Sequence, residues 1–317
     1  MTDRWRLIGT VAVTDTRWYE YLQARPDLTE INFWRPSSRR AFLAPAFSPF
    51  LFKLRSPLNA ICGFAYFAQY SRLPIWLAWE TFDQANGCAS KSELDARIAA
   101  IRERIRFKGG DVAEEIGCIL LVQPVFFPRE AWIRQPSDWR ARTQTPTKYD
   151  LSIGEGARVW QECQSVAREL AVQPVDAPFA AAPSPRYGRP ILVAPRLGQR
   201  TFQIAVMDAY GRAYSVTDEH SLPALDAIHI RPYHDGGVHD VSNGLLLRAD
   251  LHRLFDKGYI TVDTSLQVVV SERLKSEFHN GRTYYPLHGR ELREPKKTKD
   301  KPDLEALRWH NENVFAA

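Results

Sequence analysis

The chain has 317 residues, 44% of them hydrophobic and 25% charged, with a formal net charge of +5. That length suits two ordinary domains, and the composition is globular, which excludes a disordered or fibrous chain. The stretch TDRWRLIGTVAVTD after Met1 has neither the apolar core of a signal peptide nor the run of about 20 apolar residues that a membrane span needs, so the expected location is the cytosol.

In the first half, the apolar runs PFLFKLRSP, NAICGFAYFAQY and IGCILLVQPVFF are bounded by Pro, Asn and Gly and read as buried strands of a curved sheet or barrel. Between the last two, SKSELDARIAAIRERIRF predicts a helix over 90–107. Ser90 or Ser92 can cap it, and Leu94, Ile98, Ile101 and Ile105 recur at three- and four-residue steps. Its other face carries Arg97, Arg102, Arg104 and Arg106; such a face is ordinarily solvated, with nucleic-acid contact the alternative. Cys62, Cys88, Cys118 and Cys163 form no CxxC pair, so buried thiols are expected rather than a disulfide framework or a zinc knuckle. Of the 42 basic residues only 10 are lysine, an arginine bias suited to bidentate phosphate recognition that GC-rich coding would also produce.

The segment VQPVDAPFAAAPSPRYGRP, with prolines at 174, 178, 183, 185 and 190, reads as a semi-rigid linker. It divides the chain into domains over 1–171 and 191–317, with the linker at 172–190. Eight of the nine tryptophans and all four cysteines precede it, whereas all eight histidines follow it. One uniform domain would not segregate residue types in this way.

Beyond the linker, AIHIRPYHDGGVHDVSNGLLLRADLHRLFDKG gathers four histidines within 227–258. LDAIHIRPY alternates and is β-branched, which predicts a strand. SNGLLLRADLHRLFDKG starts on a capping Ser or Asn, keeps apolar residues on one face and stops at Gly258, which predicts a helix after a Gly-Gly loop. His252 and Asp256, four apart on that helix, share a face, as two ligands of one metal must. The strand supplies His229 opposite them. His234 and His239, in the loop, are expected to face solvent.

His229, Asn243 and His252, in the settings AIHIRP, NGLLL and LHRLFDKG, resemble the HNH nuclease motif. The resemblance extends from about Phe202 to the C-terminus, with YGRAYSVTDEHSLPALDAIHI as a preceding hairpin and YITVD, YYPLHGREL and WHNENVF as trailing elements. It implies a β-hairpin followed by a helix around one divalent ion, Mg²⁺, Mn²⁺ or Ni²⁺, all suited to N and O donors. His229 would be the general base, Asn243 would fix the loop and hold that ring, and His252 would bind the metal with Asp256 as second ligand. Many family members place a ligand directly before the base. Here Ile228 stands there and cannot bind metal; Asp226, two residues earlier on the same strand face, could substitute. Arg231 and Arg253 are candidates for neutralising phosphate charge.

In the first half, INFWRPSS followed by PFLFKLRSPLNAICGFAYFAQYSRLPIWLAWETF resembles, in the order of its pieces, the PUA-like domains of the EVE, ASCH, YTH and SRA group. Several of these hold a flipped modified base in an aromatic pocket. The resemblance implies Trp34, Trp76 and Trp79 as stacking rings and Asn32, Ser37 or Asn86 as readers of the base edge, although aromatics in apolar runs are more often core. The expectation is therefore an α+β protein: a PUA-like reader joined to an HNH nuclease, acting as a modification-dependent restriction endonuclease on double-stranded DNA, for instance with methylated or hydroxymethylated cytosine. A homodimer is one arrangement that would cut both strands. The alternatives are an HNH nuclease whose first half reads unmodified sequence, RNA or a ligand, and a reader that does not cleave.

Overall fold

A computed structural model describes residues 6–105, 114–140, 143, 145–172, 197–217, 219–279 and 281–316. The linker expected at 172–190 and Arg106 lie outside the described residues, apart from the end of one helix at Val172. The chain divides into two compact units, Met1–Arg196 and Leu197–Ala317, and mixes helix and sheet in both. Among the described residues no helix is long and apolar enough to cross a membrane.

The first unit is built on seven strands: β1 (Ile8–Thr14), β2 (Glu30–Arg35), β3 (Pro49–Leu54), β4 (Ala60–Pro74), β5 (Glu115–Phe126), β6 (Ile133–Arg134) and β7 (Thr147–Asp150). They run in the order β2-β5-β4-β3-β1-β7, with β6 paired to β4, and only β1 and β3 are parallel. Among the described residues β2 and β7 do not pair, so the path stays an open sheet rather than a closed barrel. Register shifts at Phe52/Lys53, Phe64/Tyr66 and Phe67/Gln69 interrupt the ladders of the long strand β4, the kind of irregularity that bends a strand.

The helices α1 (Thr16–Gln23), α2 (Ile75–Phe82), α3 (Lys91–Arg104) and α4 (Gly154–Val172) cover the sheet. Asp15 caps α1 by accepting from the amides of Arg17 and Trp18. Trp18 then meets Phe33, Phe52 and Phe126 edge-on at 5.3–6.0 Å. Val159, Trp160, Cys163 and Ala167 of α4, at helical spacing, pack with Val11, Leu51, Phe64 and Phe127. Phe52 thus faces one layer and Leu51 the other, which is why β3 is buried along its whole length and shows no polar alternation. α3 follows its sequence pattern: Ser90 accepts from the Glu93 amide, and Leu94 and Ile98 are buried. Two of its arginines serve the fold, since Arg97 pairs with Glu93 and Arg102 donates to the carbonyls of Pro36 and Glu115, while Arg104 is exposed. All four cysteines are buried thiols outside any disulfide.

The second unit contains α5 (Gln199–Ala209), the antiparallel hairpin β8 (Leu225–His229) and β9 (Gly244–Arg248), α6 (Ala249–Asp256), the hairpin β10 (Ile260–Val262) and β11 (Val268–Val270), α7 (Arg273–Phe278) and α8 (Leu304–Asn313). Two expectations are corrected here. Residues 244–248 form a strand and not the first turns of a helix; Leu245, Leu246 and Leu247 are all buried, and a short apolar run covered on every side carries no period to separate strand from helix. The helix begins only at Ala249 and ends at Asp256, with Lys257 as its C-cap before Gly258 at φ +71°. Among the described residues from Tyr210 to Ala224 there is no strand to make the expected preceding hairpin; the turn after α5 is instead tied to β9 by the Ser215 amide and hydroxyl, both donating to Leu246 O.

Candidate active site

The residues named for hydrolysis all come from β8, the turn before β9, and α6. The register sets His229 opposite Gly244. A Cβ at Gly244 would lie 2.4 Å from Val206 Cγ2 and 3.1 Å from Phe202 Cζ, so glycine is what lets α5 approach this closely. Phe202 consequently stacks on the His229 ring, with centroids 4.0 Å apart and 10° between planes. On the ring's edge, His229 Nε2 lies 2.9 Å from His239 Nδ1. Burial, and next the neighbouring His239 ring, push the His229 pKa down to about 4, so the imidazole is neutral at pH 7, as a proton acceptor must be.

Asn243, 3% exposed, organises the loop. Its Oδ1 accepts from the Arg231 amide at 2.9 Å, and its Nδ2 donates to the carbonyls of Arg231 and Val238 at 2.9 and 3.0 Å. The side chain thereby takes the place of a strand partner for Arg231. A Cβ at Gly237 would fall 1.9 Å from Arg231 O and 2.9 Å from Asn243 Nδ2, which explains the second glycine of the Gly-Gly pair. None of these Asn243 bonds reaches the His229 ring; Phe202 and His239 hold it instead. His239, expected in solvent, is half-buried under a parallel stack with Tyr233 at 4.7 Å, whereas His234 is exposed and pairs with Asp235.

His252 sits between two carboxylates. Its Nδ1 is 2.9 Å from Asp226 Oδ2 and its Nε2 is 3.2 Å from Asp256 Oδ2. The hydrogen bond to Asp256 and then that to Asp226 outweigh partial burial and raise the pKa to about 8. Ile228 is 2% exposed and belongs to the core. One imidazole and two carboxylates are donors that suit a divalent ion. Among the described residues, however, no group of three or more His, Cys, Asp or Glu is gathered as a cage, because the carboxylates address opposite nitrogens of one ring. Either nitrogen can take an ion with its adjacent carboxylate while the other carboxylate orients the ring through the remaining N–H. The Asp226 and Asp256 side chains are 45% and 60% exposed and have room to turn. The donor set therefore fits a bound divalent metal.

Of the two basic candidates, Arg231 donates Nε to Asp235 O at 2.7 Å and lays its guanidinium 5.2 Å over Trp309 of α8, while Arg253 is exposed on α6. Phe202, Tyr233 and Trp309 carry no signal as site residues in the sequence, and His239 shows there only as a loop histidine. They reach the hairpin by folding from 27 residues upstream, from a loop, or from the last helix, and no spacing rule registers such contacts.

In the first unit Trp34, Trp76, Trp79 and Ser37 are half-buried. Asn32 and Asn86 are fully buried: Asn32 Nδ2 donates to Asn86 Oδ1 at 2.9 Å and to Cys118 Sγ, and Asn86 Nδ2 donates to the carbonyls of Ala78 and Asp83. Their amide groups join β2 to the turn after α2; the Asn86 amide is fully engaged in that tie, whereas Asn32 Oδ1 is buried with no hydrogen-bond partner among the described residues. Trp34 Nε1 donates to Asn86 O at 3.0 Å, which fixes one edge of that indole.

The hairpin, helix and histidine pair define the class: residues 214–263 match the family model for an HNH endonuclease domain. Among solved structures the chain is similar to the ASCH protein of Zymomonas mobilis, at 18% identity over 48% of this chain and 94% of that one with a TM-score of 0.32. It is likewise similar to a single-residue variant of that protein, at 15% identity over 48% and 96% with a TM-score of 0.32. No curated protein matches the chain.

Proposed function

We propose that this chain is a metal-dependent DNA endonuclease directed to modified bases by its first unit. The observation that carries the hydrolytic half is the pairing, within residues 226–256, of a neutral imidazole with an imidazole bracketed by two carboxylates. His229 takes a proton from the attacking water, with its ring plane held by Phe202. His252, Asp226 and Asp256 would hold the ion, and Asn243 keeps the Arg231 backbone in place. A divalent ion so bound supplies positive charge to polarise the phosphate and stabilise the leaving oxygen. Arg231, steadied by Asp235 and Trp309, and the exposed Arg253 neutralise phosphate charge.

Supporting the reader half are the order of aromatic strands in the first unit and three half-buried indoles, Trp34, Trp76 and Trp79, able to stack on an extruded base. Ser37 is the polar reader that remains accessible. Two chains acting together would cut both strands. Incubation with Mg²⁺, Mn²⁺ or Ni²⁺ and matched DNAs, unmodified, cytosine-methylated and hydroxymethylated, tests both halves. Cleavage confined to a modified duplex and abolished by EDTA is the expected result. Equal cleavage of all three would remove the reader, and cleavage in excess EDTA would remove the metal.

A further inference from the structure

The least expected contact of the second unit is the one between His229 and His239. It is held from several directions. Ile230 N donates to Asn243 O, Asn243 grips Arg231 and Val238, and Asp240 caps the turn by accepting from Ser242 N, so the backbone on both sides of His239 is fixed. Tyr233 lies parallel to the His239 ring, with 5° between planes, and Phe202 lies parallel to the His229 ring. Each imidazole is thus clamped on a face, and their edges meet at 2.9 Å.

Two neutral imidazoles that meet nitrogen to nitrogen share one hydrogen. If His239 Nδ1 carries it, His229 Nε2 is an acceptor already in use and His229 Nδ1 bears the ring's own proton, so neither nitrogen can accept another. If His229 Nε2 carries it, His239 Nδ1 accepts and His229 Nδ1 is left with an open lone pair. Only the second arrangement yields a base. We propose that His239 is a positioning residue that holds His229 in the Nε2–H tautomer and so designates Nδ1 as the atom that takes the proton from water. The inference rests on His229 being the general base. When that proton arrives, Nδ1–H forms, Nε2 keeps its hydrogen toward His239, and the positive charge stays on the His229 ring. At metal sites, removing a partner that orients a histidine costs about 10- to 100-fold in affinity or activity, and a loss of that order is expected for His229.

The test uses the full chain labelled with ¹⁵N-histidine, with His229 signals assigned by their loss in His229→Ala. Nitrogen shifts of the unsubstituted protein should show His229 protonated at Nε2 and unprotonated at Nδ1. His239→Phe keeps the stack on Tyr233 but accepts nothing; it should mix the His229 tautomers and lower kcat about 10- to 100-fold with KM little changed. His239→Asn offers Oδ1 near the position of Nδ1 and should recover most of the rate and the single tautomer. A His229 ring protonated at Nδ1 in the unsubstituted protein, or His239→Phe cleaving at the parental rate, overturns the proposal. If the parent cleaves no DNA, the nuclease assignment fails, while the nitrogen shifts still decide the tautomer.

Discussion

Both units bury polar side chains, with different results. In the first unit the Asn32 and Asn86 amides are 0% exposed and bind one another, a thiol and two carbonyls, joining elements 54 and 86 residues apart. In the second, His229 and His252 stay half-exposed within one hairpin and helix, and their surroundings move them in opposite directions, one to a pKa of about 4 and the other to about 8. Amides that bind one another tie a scaffold together, although Asn32 Oδ1 is left buried with no hydrogen-bond partner among the described residues. Imidazoles of unequal proton affinity mark a place where one ring can accept a proton while its neighbour is held by anions.

The largest expected effect separates these roles. His229→Ala should reduce cleavage by about 10²- to 10⁴-fold, the contribution of a positioned base, with melting temperature and DNA affinity nearly unchanged. A variant keeping a tenth or more of the parental rate would show that the buried ring is a packing residue like Asn32. Next, Asp226→Ala and Asp256→Ala should each weaken divalent-metal binding about 10- to 100-fold by titration calorimetry. A difference between them would identify which ring nitrogen of His252 faces the ion.

The contrast also governs what was readable in advance. The HNH residues lie on one continuous segment whose spacing survives in the sequence, and α3 was legible through its cap at Ser90 and its buried Leu94 and Ile98. The β9 run was misread because three consecutive buried leucines have no period. The Asn32–Asn86 tie is not legible, because a polar residue in an apolar run looks equally like a ligand contact and a structural tie. Tertiary distance decides between them, and sequence order holds no trace of a partner 54 positions away.

Intermediate effects test the first unit. Asn32→Ala leaves the Asn86 Oδ1 buried without its donor and should destabilise the protein by about 1–3 kcal/mol, read by denaturant unfolding, without altering the ratio of affinities for modified and unmodified DNA. Trp76→Ala and Trp79→Ala divide by outcome. A ring that stacks on a base should lose about 1–3 kcal/mol of affinity, roughly 5- to 150-fold, for modified DNA alone. A ring that only packs should lower stability and both affinities together. If neither substitution is selective, the pocket is not at α2.

The smallest effect concerns acid stability, since every histidine of the chain follows residue 219. His310 on α8 is 2% exposed and stacks on Phe255 at 3.6 Å, with Nδ1 at 2.8 Å from Thr261 Oγ1 and Nε2 at 3.1 Å from Phe255 O. A neutral Nε2–H ring satisfies both contacts, donating to the carbonyl and accepting from the hydroxyl. Burial pushes its pKa down to about 4, against an unfolded value of about 6.5. Between these pH values the unfolded chain binds the extra proton, so the contribution of His310 to stability is complete above about pH 6.5 and declines as pH falls toward 4, by on the order of 2 kcal/mol at pH 5, with His229 acting in the same direction. Amide exchange followed from pH 7 to pH 5 should therefore lose protection in α6, β10 and α8, and much less in β3, β4 and β5, whose unit contains no histidine. His310→Gln should lower protection at pH 7 but flatten its pH dependence. An equal acid response in both units would mean that carboxylates, common to both, dominate, and that the neutral His310 ring contributes no measurable share.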